Sequence, residues 1–208
     1  ASVETPGNSD FIGFSTLEIR GTFLSILSGT DSLAQTWHIY EGETSITGPN
    51  FGTAGSTVII ESAAGFLFSG TSTYIIPITL NANATIRSTT TSTGPRLEGA
   101  ISGSGRLTKT GNGILRLYGT NTYNGGTSIQ QGTLAINSNN NLGNTSRSLT
   151  FTGNSTLRLD ANLSSARTVN LDATNNTINT QGNTGTFSGT FQGTGNLIKE
   201  GSGTLQLT

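Results

Sequence analysis

The sequence predicts an all-β chain wound as a parallel β-helix, a solenoid of about ten coils. Three observations carry that expectation. Apolar and polar residues alternate with a period of two almost throughout, as in Leu17-Glu18-Ile19, Leu115-Arg116-Leu117, Leu157-Arg158-Leu159 and Leu205-Gln206-Leu207. That spacing lines one face of a strand. Aliphatic residues recur every 20 to 22 positions, from Leu107 to Ile129, then Leu149 and Phe151, then Val169 and Leu171. Finally, residues 103–117 (GSGRLTKTGNGILRL) return at 193–207 (GTGNLIKEGSGTLQL), with eight of fifteen positions identical at an offset of 90. A recurrence of that spacing suits one coil whose strands hydrogen-bond to the next, and the offset then reads as four coils.

The segments follow in order. Residues 1–50 lack the repeat and hold the single Trp and the single His; Phe11, Phe14, Phe23 and Phe51 fall in or beside them. They read as an N-terminal cap or divergent coils, with a specific binding region as the alternative. Residues 51–208 read as the β-helix proper. All four prolines (Pro6, Pro49, Pro77, Pro95) precede residue 96, so the later coils keep every ladder amide. A full repeat occupies 103–136, and a truncated one 193–208. Asn139-Asn140-Asn141 and Asn175-Asn176 are placed between strands, as turns or stacked ladders. The chain opens without Met and stops inside the repeat, and residues 1–10 have neither a basic nor an apolar stretch; it reads as a piece of something longer.

Composition narrows the function. Gly, Ser, Thr and Asn supply 110 of 208 residues, which first suggests disorder. Against that, Leu, Ile, Val and Phe number 49, above the roughly 20% that marks disordered chains, and they are regularly placed. Small polar residues are instead the outer face and corners of a solenoid. Without Cys there is no disulfide, thiolate metal site or thiol nucleophile. A net charge of −1 argues against nucleic acid and anionic membrane as partners.

The stretch from Gly103 to Ile136 reads GSGRLTKTGNGILRLYGTNTYNGGTSIQQGTLAI. It resembles the passenger-associated transport repeat of bacterial autotransporters. Gly105, Leu107, Lys109, Gly111, Gly113, Leu115, Leu117, Gly119, Asn121, Tyr123, Gly125, Thr127, Ile129, Gly132 and Leu134 carry the likeness. The resemblance implies a right-handed β-helical passenger, secreted or held at the bacterial surface, and exported through an outer-membrane β-barrel translocator in the full-length protein. Passengers of this type vary widely in activity, so the fold does not settle function. The scarcity of charge, Cys and His moves the expectation to binding: adhesion to host cells or matrix, or bacterial self-association. The implied partners are a host cell-surface protein or glycan, or a second copy of the chain. The alternatives are a stalk or receptor-engaging part of a secreted toxin, and a carbohydrate-active β-helix.

Chemistry finds little support. His38 is the sole histidine and no G-x-S-x-G occurs, so a serine triad is not expected. One His and no Cys do not build a zinc site, and no phosphate-binding glycine motif occurs; no cofactor is expected. Trp37, His38, Tyr40, Glu41 and Glu43 form the candidate binding region: aromatic faces suit sugar rings, and Glu41 and Glu43 would share a strand face about 7 Å apart. The bland alternative is two solvated residues flanking Gly42. Arg106, Arg116, Arg147, Arg158 and Arg167 read as a solvated edge or a basic stripe. Thr-x-Thr recurs at irregular spacing, too irregular for a regular hydroxyl lattice.

Overall fold

The computed structural model describes residues 16–20, 26–27, 34, 36–46 and 55–208. Among them, short strands alternate with tight corners, and one 3₁₀ turn spans Asn139–Leu142. Phe11, Phe14, Phe23 and Phe51 lie outside the described residues. The strand ladders are parallel, each strand pairing with the strand one turn away.

Three faces wrap the interior. Face two is the longest, with nine strands from Ile26–Leu27 to Phe191–Gly193. Face three has seven, from Thr73–Tyr74 to Asn196–Glu200. Face one begins with five strands, from Thr16–Ile19 to Ile101–Gly103, and ends with Leu163–Ser165, Thr184–Phe187 and Thr204–Leu207. Two irregular segments join its halves: Thr122 N donates to Ile101 O, and Asn121 N donates to Asn140 O. The nine strands of face two make eight steps, so the described solenoid has about eight turns and rises about 38 Å. The expected ten coils came from dividing the whole chain by one constant spacing. The described part is shorter than the whole, and one turn, from Arg87 to its partner Thr110, is longer than that spacing allows.

Along face two Lys109 pairs with Ile129, Ile129 with Phe151, Phe151 with Leu171, and Leu171 with Gly193. Shorter and longer turns therefore alternate, and the four that lead from Lys109 to Gly193 fall short of the repeat offset. The offset of 90 is not four whole turns. The first copy runs Leu107–Thr110 on face two and Ile114–Leu117 on face three. The second runs Asn196–Glu200 on face three and Thr204–Leu207 on face one, one corner further round. The repeat encodes strand, corner and strand, and this unit fits more than one corner of the coil. The corner glycines agree: Gly111 and Gly201 have φ of 74° and 80°. A Cβ on Gly105 would lie 1.9 Å from Ala82 O, and one on Gly195 1.8 Å from Ala173 O. Only glycine lets the rungs approach so closely.

Inside, side chains stack rung on rung. Leu115, Leu134, Leu157 and Ile178 form one column, each fully buried. A second column reads Phe66, Ile86, Lys109, Ile129, Phe151 and Leu171. Sequence spacing leads from Leu107 to Ile129, but the register sets Leu107 on Thr127 and puts Lys109 in the aliphatic column. Asn176 also departs from expectation. It lies within the strand Asn175–Asn179, buried, and its Nδ2 donates to Ala173 O and Asn196 O.

Candidate binding surface

Strand alternation splits the candidate region. On Thr36–Ile39, Trp37 and Ile39 point inward and are buried, while His38 faces outward and is half-buried. Tyr40, next along the chain, is half-buried as well. His38 Nδ1 lies 2.7 Å from Glu61 Oε1, and Asn81 Nδ2 donates to Glu61 Oε2 at 2.8 Å. These two partners hold the Glu61 carboxyl below the usual carboxylate range, the Asn81 bond contributing most. The Arg20 guanidinium sits 3.7 Å over the Tyr40 ring and also pairs with Glu18. Sequence reasoning missed Glu61, which is remote from His38 in the chain and meets it only through the register of successive turns.

Glu41 and Glu43 do not share a strand face. Glu41 lies in the turn before Gly42, and Glu43 opens Glu43–Ile46 on face two. The corner at Gly42, with φ of 82°, separates them. Glu43 instead pairs with Arg87 at 3.0 Å and borders a groove of about 370 Å³ with Asn83, Thr85 and Thr108. The candidate residues thus divide between two faces and the core.

The five arginines also disperse. Arg167 is buried, and its guanidinium donates to the carbonyls of Asn139, Gly143, Asn144 and Arg147 and to Asn139 Oδ1, at 2.6–3.0 Å. It closes the irregular part of face one, and its burial lowers its pKa. On face three, Arg96 registers with Arg116, Arg116 with Ala135, and Ala135 with Arg158. Arg158 grips Asp160 through two bonds of 2.7 and 2.9 Å, and the Tyr118 hydroxyl donates to the same carboxylate. Burial first, then the Asp160 hydrogen bond, push the Tyr118 phenol up to about 12.

The repeat residues explain the irregular segments. Asn121 Oδ1 accepts from Ile101 N, and its Nδ2 donates to Asn141 O, so one side chain ties three rungs. Asn141 Nδ2 returns a bond to Gly119 O. Tyr123 is fully buried; its hydroxyl lies 2.6 Å from Thr127 Oγ1, which donates onward to Leu142 O. Burial raises the Tyr123 pKa well above its ordinary value. Lys109 Nζ donates to the corner carbonyls of Thr110, Gly111 and Gln131 at 2.6–3.0 Å.

Residues 107–136 match the family model of the passenger-associated-transport-repeat. Over 73 residues, 35% of this chain, the sequence is 38% identical to "Adhesin BmaC autotransporter" of Brucella suis biovar 1 (strain 1330), a match covering 2% of that protein. No solved structure matches the chain at a significant level. The repeat match and the adhesin relative support an autotransporter passenger with transport repeats, and the parallel β-solenoid agrees with that class. The particular relative is an adhesin, and both matches support secretion to the cell surface.

Proposed function

We propose that this chain acts in binding at the bacterial surface, through adhesion to host cells or matrix or through bacterial self-association. The likeness to an autotransporter adhesin carries the reading. The fold supports it. Outward side chains are held in register on rigid ladders, as in the His38–Glu61–Asn81 chain on face one, and such a surface is preorganised for contact. The proposed contacts are His38, Tyr40 and Glu43, with Trp37 fixing the strand of His38 from within and Glu41 at the turn that leads to Glu43. The partner is a host cell-surface protein or glycan, or a second copy of the chain, and export runs through an outer-membrane barrel.

The reading is non-enzymatic. Glu41 and Glu43 lack the facing geometry that a carboxylate pair needs for glycoside hydrolysis. Beads coated with the chain, applied to epithelial cells, to immobilised matrix proteins and to each other, test the proposal. Capture above that of bare beads in at least one setting is expected, and no capture in any of them overturns it.

A further inference from the structure

We propose that the outward side of face three, centred on Arg116, binds a sugar that bears a carboxylate. The site deepens the adhesion reading, on which it rests, by naming a ligand class. It is built on the arginine column of Arg96, Arg116 and Arg158, with Ala135 between the last two. Rungs lie roughly 4.8 Å apart.

The outer arginines are already engaged. Arg96 pairs with Glu98, and its guanidinium lies 4.7 Å from the Tyr118 ring centroid. Arg158 is committed to Asp160. Both Asp160 oxygens are taken, one by Arg158 Nε, the other by Arg158 Nη2 and Tyr118. Arg116 is half-buried and has no ion pair or side-chain hydrogen bond among the described residues. Its charge still reaches Tyr118 and Asp160, which places it at the same patch. The column therefore presents one uncommitted guanidinium, held between two neutralised ones. A planar fork of this kind matches a carboxylate through two parallel hydrogen bonds.

The surroundings favour a sugar over an acidic protein segment. Beside the arginine column runs a hydroxyl ladder, Thr133, Thr156 and Thr177, in direct register. The ladder starts one rung beyond Arg116, whose own rung carries Ile114 at that position, and sets one hydroxyl on each of the next three rungs, a spacing close to the length of one ring in an extended glycan. Ala135, the shortest side chain of the column, is fully covered by its neighbours and adds no polar group of its own beside Arg116. A protein interface needs a core of several apolar anchors. Here the outward side of Ile114–Leu117 offers only Ile114, and Tyr118 is engaged by Arg96 and Asp160.

The test is titration of the folded chain at low salt, followed by amide chemical shifts, with four probes. These are 3′-sialyllactose, a glucuronate-containing tetrasaccharide, lactose and a short oligoglutamate peptide. At least one acidic sugar is expected to bind and to shift residues of Ile114–Leu117 and Gly132–Ile136. The two acidic sugars separate a sialic acid source from a uronic acid source. Arg116→Ala should weaken binding at least tenfold, and Arg116→Lys less. Arg87→Ala, on face two, should leave it unchanged. Far-ultraviolet circular dichroism checks that each variant folds. The proposal is overturned if neither acidic sugar binds at millimolar concentration, if lactose binds equally well, if Arg116→Ala binds as the parent does, or if only the peptide binds. Its failure is distinct from failure of the adhesion reading: the beads report adhesion by any surface, while the titration reports this one.

Discussion

Lys109 gives the sharpest test of the fold's energetics. A lysine at zero exposure, stacked between Ile86 and Ile129, has lost its water. Desolvation lowers its pKa from 10.5 to about 7. In the unfolded chain the amine binds its proton up to about pH 10.5, while in the folded chain it releases it near 7. Between those values the unfolded state holds more protons, so stability rises with pH; below 7 both states are protonated and the full penalty applies. The slope is about 1.4 kcal/mol per pH unit, and the ceiling across the window is about 5 kcal/mol. The carbonyls of Thr110, Gly111 and Gln131 work the other way, because an ammonium offers three donors and a neutral amine two. The observed gain should therefore fall below the ceiling. Lys109→Met keeps the length of the side chain and removes the charge. Urea unfolding of both proteins at pH 6 to 10 isolates the effect, since His38 and the tyrosines are common to both. The parent should gain stability relative to Lys109→Met as pH rises from 7 to 10. A difference that stays flat, or that moves the other way, refutes the reasoning.

Other perturbations report on separate parts of the solenoid. Arg167→Ala strands four carbonyls and one amide oxygen, and should cost about 3 kcal/mol, with faster amide exchange around Asn139–Leu142. Asn121→Ala unlinks Ile101 from Asn141 and should cost about 2 kcal/mol by urea unfolding. Tyr123→Phe loses only the bond to Thr127 and should cost about 1 kcal/mol in the same assay. Gly105→Ala drives a methyl onto Ala82 O and should lower the thermal midpoint by more than any of these.

Much of the fold was legible because strands with one face inward write a period of two. The same rule, applied strictly, places Trp37 and Ile39 inside and His38 and Tyr40 outside, so the division of the candidate region was available from four residues. Other features were hidden for physical reasons. The arginine column steps from 96 to 116 to 158 through Ala135, with turns of unequal length, and no constant spacing exposes it. The partnership of His38 with Glu61 depends on the length of one turn. Lys109 was hardest to place, since a lone lysine in a polar chain belongs outside by composition; only the corner carbonyls make an interior position tolerable.

The displaced second repeat bears on how such a chain evolves and binds. If the repeat had to return to the same face, its length would be tied to whole turns, and an insertion between copies would break the register. The copies instead sit one corner apart, on faces two and three and then on faces three and one. The unit that matters is local: a lysine before a positive-φ glycine, then a strand. Lys109 donates to Gly111 O and Lys199 to Gly201 O, the same lysine-to-glycine bond at two different corners. Corner-level recurrence leaves outward positions free to vary, because the motif's buried residues set the stacking while alternate positions face solvent. Arg116 and Gln206 are equivalent within the repeat, both outward, and they stand on different faces. A solenoid built this way can place one guanidinium among hydroxyls on a single face without repeating it around the rod. That is the condition for a localised binding site on an otherwise periodic surface.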